Sequence, residues 1–341
     1  MPQDSHTAIA VDAMGGDHAP AVVVEGALDA VRETTGRFSV VLVGKKEAID
    51  RELQKHPDTA TLSRHLDIVH ASEVIDMQDT PTAALKTKRD SSIGVGLQLH
   101  RTGTVQAFVS AGNTGAVMSA STLILGRIPG VGRPTIGTLI PTAKGRALLV
   151  DAGANVDCRP NHLLEFAVMG SIYASAMLGK ANPSVGLLNI GEEESKGNEA
   201  AQEAHRLLKA SRLNFVGNVE GRDILKGTAD VVVCDGFVGN ILLKFGESIP
   251  AFFKAKFTAY AAGSPVRKLV GLVARGGLRS IMKELDYQEH GGVPLLGVNG
   301  VSIIGHGGST PKAIKNMIFR AEEMVTRDVL LGIKNALAQY S

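Results

Sequence analysis

Five short apolar runs in this chain each end in a glycine-rich polar loop and then pass into a helical pattern. That repeated order limits the folds open to it. The first is Ile9-Ala10-Val11-Asp12-Ala13-Met14-Gly15-Gly16-Asp17-His18-Ala19-Pro20. An apolar run ends on a carboxylate, and Gly15 and Gly16 then permit positive φ and close approach to the backbone. Pro20 suits a helix's first turn. The same signals return at Ser110-Ala111-Gly112-Asn113-Thr114-Gly115, at 151–155, at 235–240 and at 305–310.

Strands are predicted at 8–12, 38–43, 66–70, 105–109, 135–140, 147–150, 185–189, 213–216, 231–233 and 301–304. Helices are predicted over 21–33, 45–55, 92–99, 116–125, 161–178, 200–209 and 312–337, with another starting at Thr80-Pro81-Thr82. A helical stretch over 241–285 is broken at Pro250, at Gly263-Ser264-Pro265 and at Gly276-Gly277. Such alternation implies βαβ units in a three-layer α/β/α fold with a mostly parallel sheet. Ligands of such sheets bind beyond the carboxyl ends of strands. If the strands run parallel, the five loops converge on one edge as a shared site.

The 341 residues are 44% hydrophobic, which supports a large core, and are read as a single α/β domain, 1–341. The 39 glycines and only 4% aromatics speak against an all-β or disordered chain. A net charge of +2 does not suggest a general nucleic-acid binder, and the few aromatics remove the stacking platforms that single-strand binding needs. Cys158 and Cys234 share no metal-ligand spacing, so a reducing compartment is expected. Cys158 precedes a helix start and is a weak candidate nucleophile; Cys234 reads as a small buried residue. Residues 1–7 show no signal peptide, and no apolar run approaches the length of a membrane span.

The usual catalytic signatures are missing: no GxGxxG after a strand, P-loop, HExxH or GxSxG elbow. Asp12, Asp17, Asp151 and Asp235 could gather round a divalent metal. Capping helices and pinning loops is the favoured reading, so neither metal nor cofactor is expected. What remains is backbone N–H in glycine-rich loops, together with Ser110, Asn113, Thr114, Asn155, Asn240, Ser309, His18 and His306. That inventory suits holding a phosphate more than activating a weak nucleophile.

One segment departs from the pattern. Between Ser248 and Lys283 there is no acid, while Lys254, Lys256, Arg267, Lys268, Arg275, Arg279 and Lys283 make seven cations. Val266, Leu269, Val270 and Val273 share one helical face, with Lys268 and Arg275 opposite. Residues 246–285 therefore read as a basic amphipathic protrusion for an anionic surface or acidic partner. The alternative is a solvated face packed on a dimer mate.

Several motifs resemble the bacterial fatty acyl-phosphate synthase family, the acyl carrier protein:phosphate acyltransferases of phospholipid synthesis. They are 11–20; 109–116; Asp151-Ala152-Gly153-Ala154-Asn155-Val156-Asp157; Leu187-Leu188-Asn189-Ile190-Gly191 with Lys196-Gly197-Asn198-Glu199; and 233–240. They follow one another in family order over essentially the whole chain. The departure is Gly307-Gly308-Ser309-Thr310, where family members differ. The resemblance implies a fold related to isopropylmalate dehydrogenase-like and phosphotransacetylase-like enzymes, a homodimer and no redox cofactor. It also implies the reaction of acyl-carrier thioester with inorganic phosphate to give acyl phosphate. The product would pass to a membrane glycerol-3-phosphate acyltransferase, placing the protein in the cytoplasm and peripherally on the membrane.

Under that reading Gly112, Asn113 and Thr114 hold phosphate, with Gly15 and Gly16 beside them. Asp17, His18, Ser110, Asp151 and Asn155 complete the binding set. Asp12, Asp235 and Asn240 shape the site, and His306 donates to the oxyanion or leaving sulfur. The thiol leaves with little protonation, since its pKa is about 8.5. The seven cations of the protrusion contact acyl carrier protein or membrane. Competing readings are an acyl-CoA-using phosphotransacetylase, an NAD- and metal-dependent hydroxyacid dehydrogenase, and a non-enzymatic membrane-associated scaffold for acyl carrier protein.

Overall fold

Runs of valine, isoleucine and leucine form the sheet because branched side chains pack well on a pleated surface. The computed structural model describes residues 7–34, 36–264, 266–267, 276–277 and 291–340. Its strands are β1 (Thr7–Asp12), β2 (Phe38–Gly44), β3 (Leu66–His70), β4 (Ala107–Ser110), β5 (Thr135–Thr142), β6 (Gly145–Val150), β7 (Ser184–Leu188), β8 (Asn214–Val219), β9 (Val231–Val233), β10 (Val293–Leu296) and β11 (Val301–Ile304). Between them run α1 (Ala21–Thr34), α2 (Lys46–Leu53), α3 (Thr59–Leu62), α4 (Pro81–Thr87), α5 (Ser92–Arg101), α6 (Thr114–Ile124), α7 (Pro160–Leu178), α8 (Glu199–Ala210), α9 (Gly221–Ile224) and α10 (Gly236–Ala262). α11 (Pro311–Thr326) and α12 (Val329–Leu337) close the chain.

The strands lie in one sheet of eleven, ordered β3-β2-β1-β4-β11-β10-β5-β6-β9-β7-β8. Side chains alternate across it as the two-residue period requires. Ile9 and Val11 belong to the core that α1, α7 and α11 cover on one face, while Ala10, Val41 and Val43 belong to the core under α4, α5 and α6 on the other. Both faces are covered, so the middle strands are buried almost throughout.

Three expectations are corrected. β10 was not anticipated, because Val293-Pro294-Leu295-Leu296 is short and contains a proline. The last helix divides at Asp328, whose φ of 50° lies in the left-handed region that aspartate tolerates. Pro250 does not break its helix: α10 runs through it for 27 residues. An interior proline crowds the carbonyl four residues earlier. Here that residue is Gly246, exposed and without a side chain, so water can take the freed carbonyl.

α10 is unusual in how little it buries. Only Gly236 and Gly239 are buried, whereas Ile241, Phe245, Phe252 and Phe253 are all more than half exposed. Lys254 and Lys256 lie exposed along it, and Arg267 is exposed just beyond. Lys268, Arg275, Arg279 and Lys283 lie outside the described residues, as do Pro265 and the rest of 268–275 and 278–285. Among the described residues no helix is long and apolar enough to cross a membrane.

Candidate functional site

Strand direction decides which loops can share a site. β3, β2, β1, β4 and β11 are parallel. Three antiparallel pairings follow, β11–β10, β10–β5 and β5–β6. An odd number of reversals leaves β6, β9, β7 and β8 parallel to one another but opposed to the first group. The five loops therefore divide. Those after β1, β4 and β11 lie on one edge; those after β6 and β9 lie on the other. β4 and β6 are four strand spacings apart, about 19 Å. The expected convergence of all five loops within one chain is thus corrected, and the four aspartates separate two and two.

The first edge is built round Asp12, which is 1% exposed at the end of β1. Ser110 Oγ donates to its Oδ2 at 2.6 Å, and the amide of Met14 donates to Oδ1 at 3.1 Å. Ser110 Oγ in turn accepts from the amide of Gly112 at 3.0 Å. Burial pushes the Asp12 carboxyl above its ordinary range, against hydrogen bonds from Ser110, Ser92 and two amides. Gly15 fits because a Cβ there would stand 2.4 Å from Asp12 Oδ2 and 2.8 Å from the Gly112 nitrogen. Gly16, at φ 110°, carries the chain to Asp17, whose amide donates to Gly307 O at 2.8 Å. Asp17 and His18 are exposed on the rim.

Asn113 is the N-cap of α6. Its Oδ1 accepts from the amide of Ala116 at 3.0 Å. Its Nδ2 donates to the carbonyls of Asp76, Met77 and Asp79 at 3.3, 3.1 and 3.1 Å. The side chain thus caps the helix and clamps the loop 76–79. Thr114 is exposed, and its amide and that of Gly115 lie ahead of any intrahelical acceptor. These amides and the helix dipole face the edge, the usual setting for an anion.

His306 is exposed in the loop after β11, with Ser309 Oγ donating to its carbonyl at 2.6 Å. The amide of Gly308 donates to its Nδ1 at 3.1 Å. With Nδ1 accepting, the ring proton sits on Nε2. Gly307 lies against Asp17 and Met77, so the three loops and segment 76–79 form one continuous wall.

The second edge is a knot of structural bonds. Asp151, fully buried, accepts from the amides of Ile136, Gly153, Ala154 and Asn155 and from Asn155 Nδ2. Asn155 Nδ2 also donates to Pro134 O at 2.8 Å, and Asn155 O accepts from the amide of Gly236 at 2.7 Å. Asp235 caps α10 through the amide of Val238 at 2.8 Å. Asn240 is exposed beside Gly153. Burial and the charge of Asp151 push the Cys158 thiol up to about 11, leaving it protonated and a poor nucleophile. Cys234 is buried, as expected.

Sequence reading missed the segment 76–79 and Ser92. Neither carries a signal of its own: they matter only because Asn113 and Asp12 reach them from elsewhere in the chain.

Residues 7–331 match the model of a family described as fatty acid synthesis protein. The phosphate acyltransferase of Heliobacterium modesticaldum is 52% identical over 326 residues, covering 96% of each chain. That of Desulfitobacterium hafniense strain DSM 10664 / DCB-2 is 50% identical over 338 residues, covering 98% of each. The chain belongs to the phosphate acyltransferase family. It is accordingly an acyltransferase. The family fold is shared with the EutD phosphotransacetylase from Staphylococcus aureus, with a TM-score of 0.60, 15% identity and 95% of both chains covered. A phosphotransacetylase from Streptococcus pyogenes gives 0.60 at 19% identity, covering 98% of this chain and 95% of its own. At such identities the likeness concerns fold alone.

Proposed function

We propose that this phosphate acyltransferase family member moves a fatty acyl group from the thioester of acyl carrier protein to inorganic phosphate. A phosphate oxygen attacks the carbonyl carbon, the C–S bond breaks, and acyl phosphate and the carrier thiol result. The observation that carries this reading is the first edge: helix-start amides beside Asp12 and Ser110, with His306 in the neighbouring loop of the same wall. The amides of Thr114 and Gly115 hold phosphate, while Gly15 and Gly16 let it approach the backbone. Asp12 accepts from the Ser110 hydroxyl and so fixes Ser110, whose Oγ accepts from the Gly112 amide, beside that anion. His306 Nε2–H donates to the developing oxyanion or to the leaving sulfur. Asp17, His18 and Ser110 form the rim and floor. Asp151, Asn155 and Asp235 hold the second edge together, and Asn240 stands beside them.

The exposed apolar residues of α10 support a homodimer built along that helix. Exposed Lys254, Lys256 and Arg267 support an acidic carrier or an anionic membrane as the neighbouring surface, from which product passes to a membrane acyltransferase. The deciding assay mixes protein, acyl-loaded carrier and phosphate, and follows acyl phosphate and free thiol. Appearance of both in equal amounts is expected. Turnover with acyl-CoA but not with loaded carrier replaces the donor; reduction of NAD with a hydroxyacid, or binding without turnover, refutes the reaction.

A further inference from the structure

A cavity of about 550 Å³ opens between α4, α5 and α6, on the sheet face below the first edge. Leu85, Val95, Leu99, Ala120, Leu123 and Ile124 line it. Leu123 is 72% exposed there, an aliphatic side chain that the fold of one chain leaves uncovered. The volume is that of a pocket for a small molecule, and the lining is one that water fills poorly.

The helices that line the cavity also reach the anion-binding edge. Ser92, in the first turn of α5, hydrogen-bonds Asp12, and the cavity begins at Gly94 and Val95, less than a turn further along. On α6 the lining residues fall six to ten positions after Thr114, about 9–15 Å down the helix at 1.5 Å per residue. Lys88 joins the two structures from the other side. It lines the cavity and pairs with Asp76 and Asp79, at the ends of the segment that Asn113 clamps. Arg89, exposed beside it, sets a cation at the border of an aliphatic cavity, which suits a ligand with an apolar tail and an anionic head.

We propose that this cavity binds the hydrocarbon chain of the acyl group, with the thioester carbonyl at the first edge and the tail running down between α5 and α6. The proposal rests on the reaction above and adds the subsite that selects its substrate. A two-carbon acyl group does not reach the lining of α6 from the amides of Thr114 and Gly115; a fatty chain does. Each methylene buried raises binding roughly fourfold, so the cavity makes the enzyme selective for long chains.

The test uses Val95→Trp, which fills the cavity, and Leu123→Lys, an exposed position where a charge spoils the lining without disturbing the core. Hexadecanoyl- and butyryl-loaded carrier are compared at saturating phosphate, with circular dichroism as the control for folding. Shutting out three methylenes lowers the long-to-short ratio of kcat/KM about 60-fold. A ratio within threefold of the parent in both variants overturns the proposal. If the parent makes no acyl phosphate from any loaded carrier, the reaction fails on its own. The cavity is then read by binding of a fluorescent sixteen-carbon fatty acid. A dissociation constant raised at least tenfold by Leu123→Lys supports the cavity as a chain site, and an equal one overturns it.

Discussion

Replacing Asn113 separates two tasks that one side chain performs. Asn113→Ala removes the α6 cap, a bond of 3.0 Å to the amide of Ala116, worth about 1 kcal/mol. It also removes the Nδ2 contacts to Asp76, Met77 and Asp79. An amide group has two N–H bonds, so these three contacts count as two hydrogen bonds of about 1 kcal/mol each. Residues 76–78 are exposed and their carbonyls recover water, which reduces that part by about half. The expected loss for Asn113→Ala is therefore about 2 kcal/mol. Asn113→Asp keeps an acceptor for the cap and loses only the donor, so it costs about 1 kcal/mol. Urea unfolding gives the two stabilities, and amide hydrogen exchange over 76–79 reports the loop. Exchange there should quicken in both variants. The aspartate variant should also weaken phosphate binding through its added charge, raising the phosphate KM more than the alanine variant does. Parental stability and parental loop protection in Asn113→Ala would refute the structural role. Equal losses in the two variants would show that the cap contributes nothing.

Burial of Asp12 predicts a pH dependence. Its pKa in the folded chain lies above the ordinary 3.8, so the unfolded chain loses this proton first as pH rises. Stability from this group is therefore highest at low pH and falls as pH rises through the folded value. Asp12→Asn removes that slope and should gain stability relative to the parent as pH rises above the ordinary 3.8; parallel curves in urea titrations would contradict it. His306→Ala should lower kcat about 100-fold with little change in phosphate KM. A kcat within threefold of the parent would remove His306 from the chemistry. Phe245→Glu puts a charge on the exposed face of α10, where Phe245 is 67% exposed. Sedimentation should show a shift from dimer to monomer, and an intact dimer would place the contact elsewhere.

Much of the site was legible one loop at a time. Gly15 was read as a place of close approach, and the structure puts Asp12 Oδ2 and Gly112 N against it. The loop 110–115 was placed between a strand and a helix, and α6 starts at Thr114 with Asn113 as its cap. Its grip on 76–79 had no signal, since that contact spans more than thirty residues and is made by carbonyls that every residue carries. Asp151 and Asp235 carry the same local pattern as Asp12, yet one is consumed by five donors and the other by a cap. Identical local patterns therefore fall into different roles.

The sequence by itself determined the alternation of strands and helices, the caps and turns, and the motifs by which the family is known. These depend on side-chain size, backbone freedom and neighbours a few residues away. Only the tertiary structure decided which loops meet. β10, arriving late in the chain, pairs antiparallel with both β11 and β5, and with the β5–β6 hairpin it reverses the second half of the sheet. Strand direction is a property of pairing between distant segments, and no local pattern encodes it. The opening loop at Asp12 to His18 therefore shares its edge with the loops at 110–115 and 305–310, and its strand lies five and six positions along the sheet from the strands that carry the pair it most resembles.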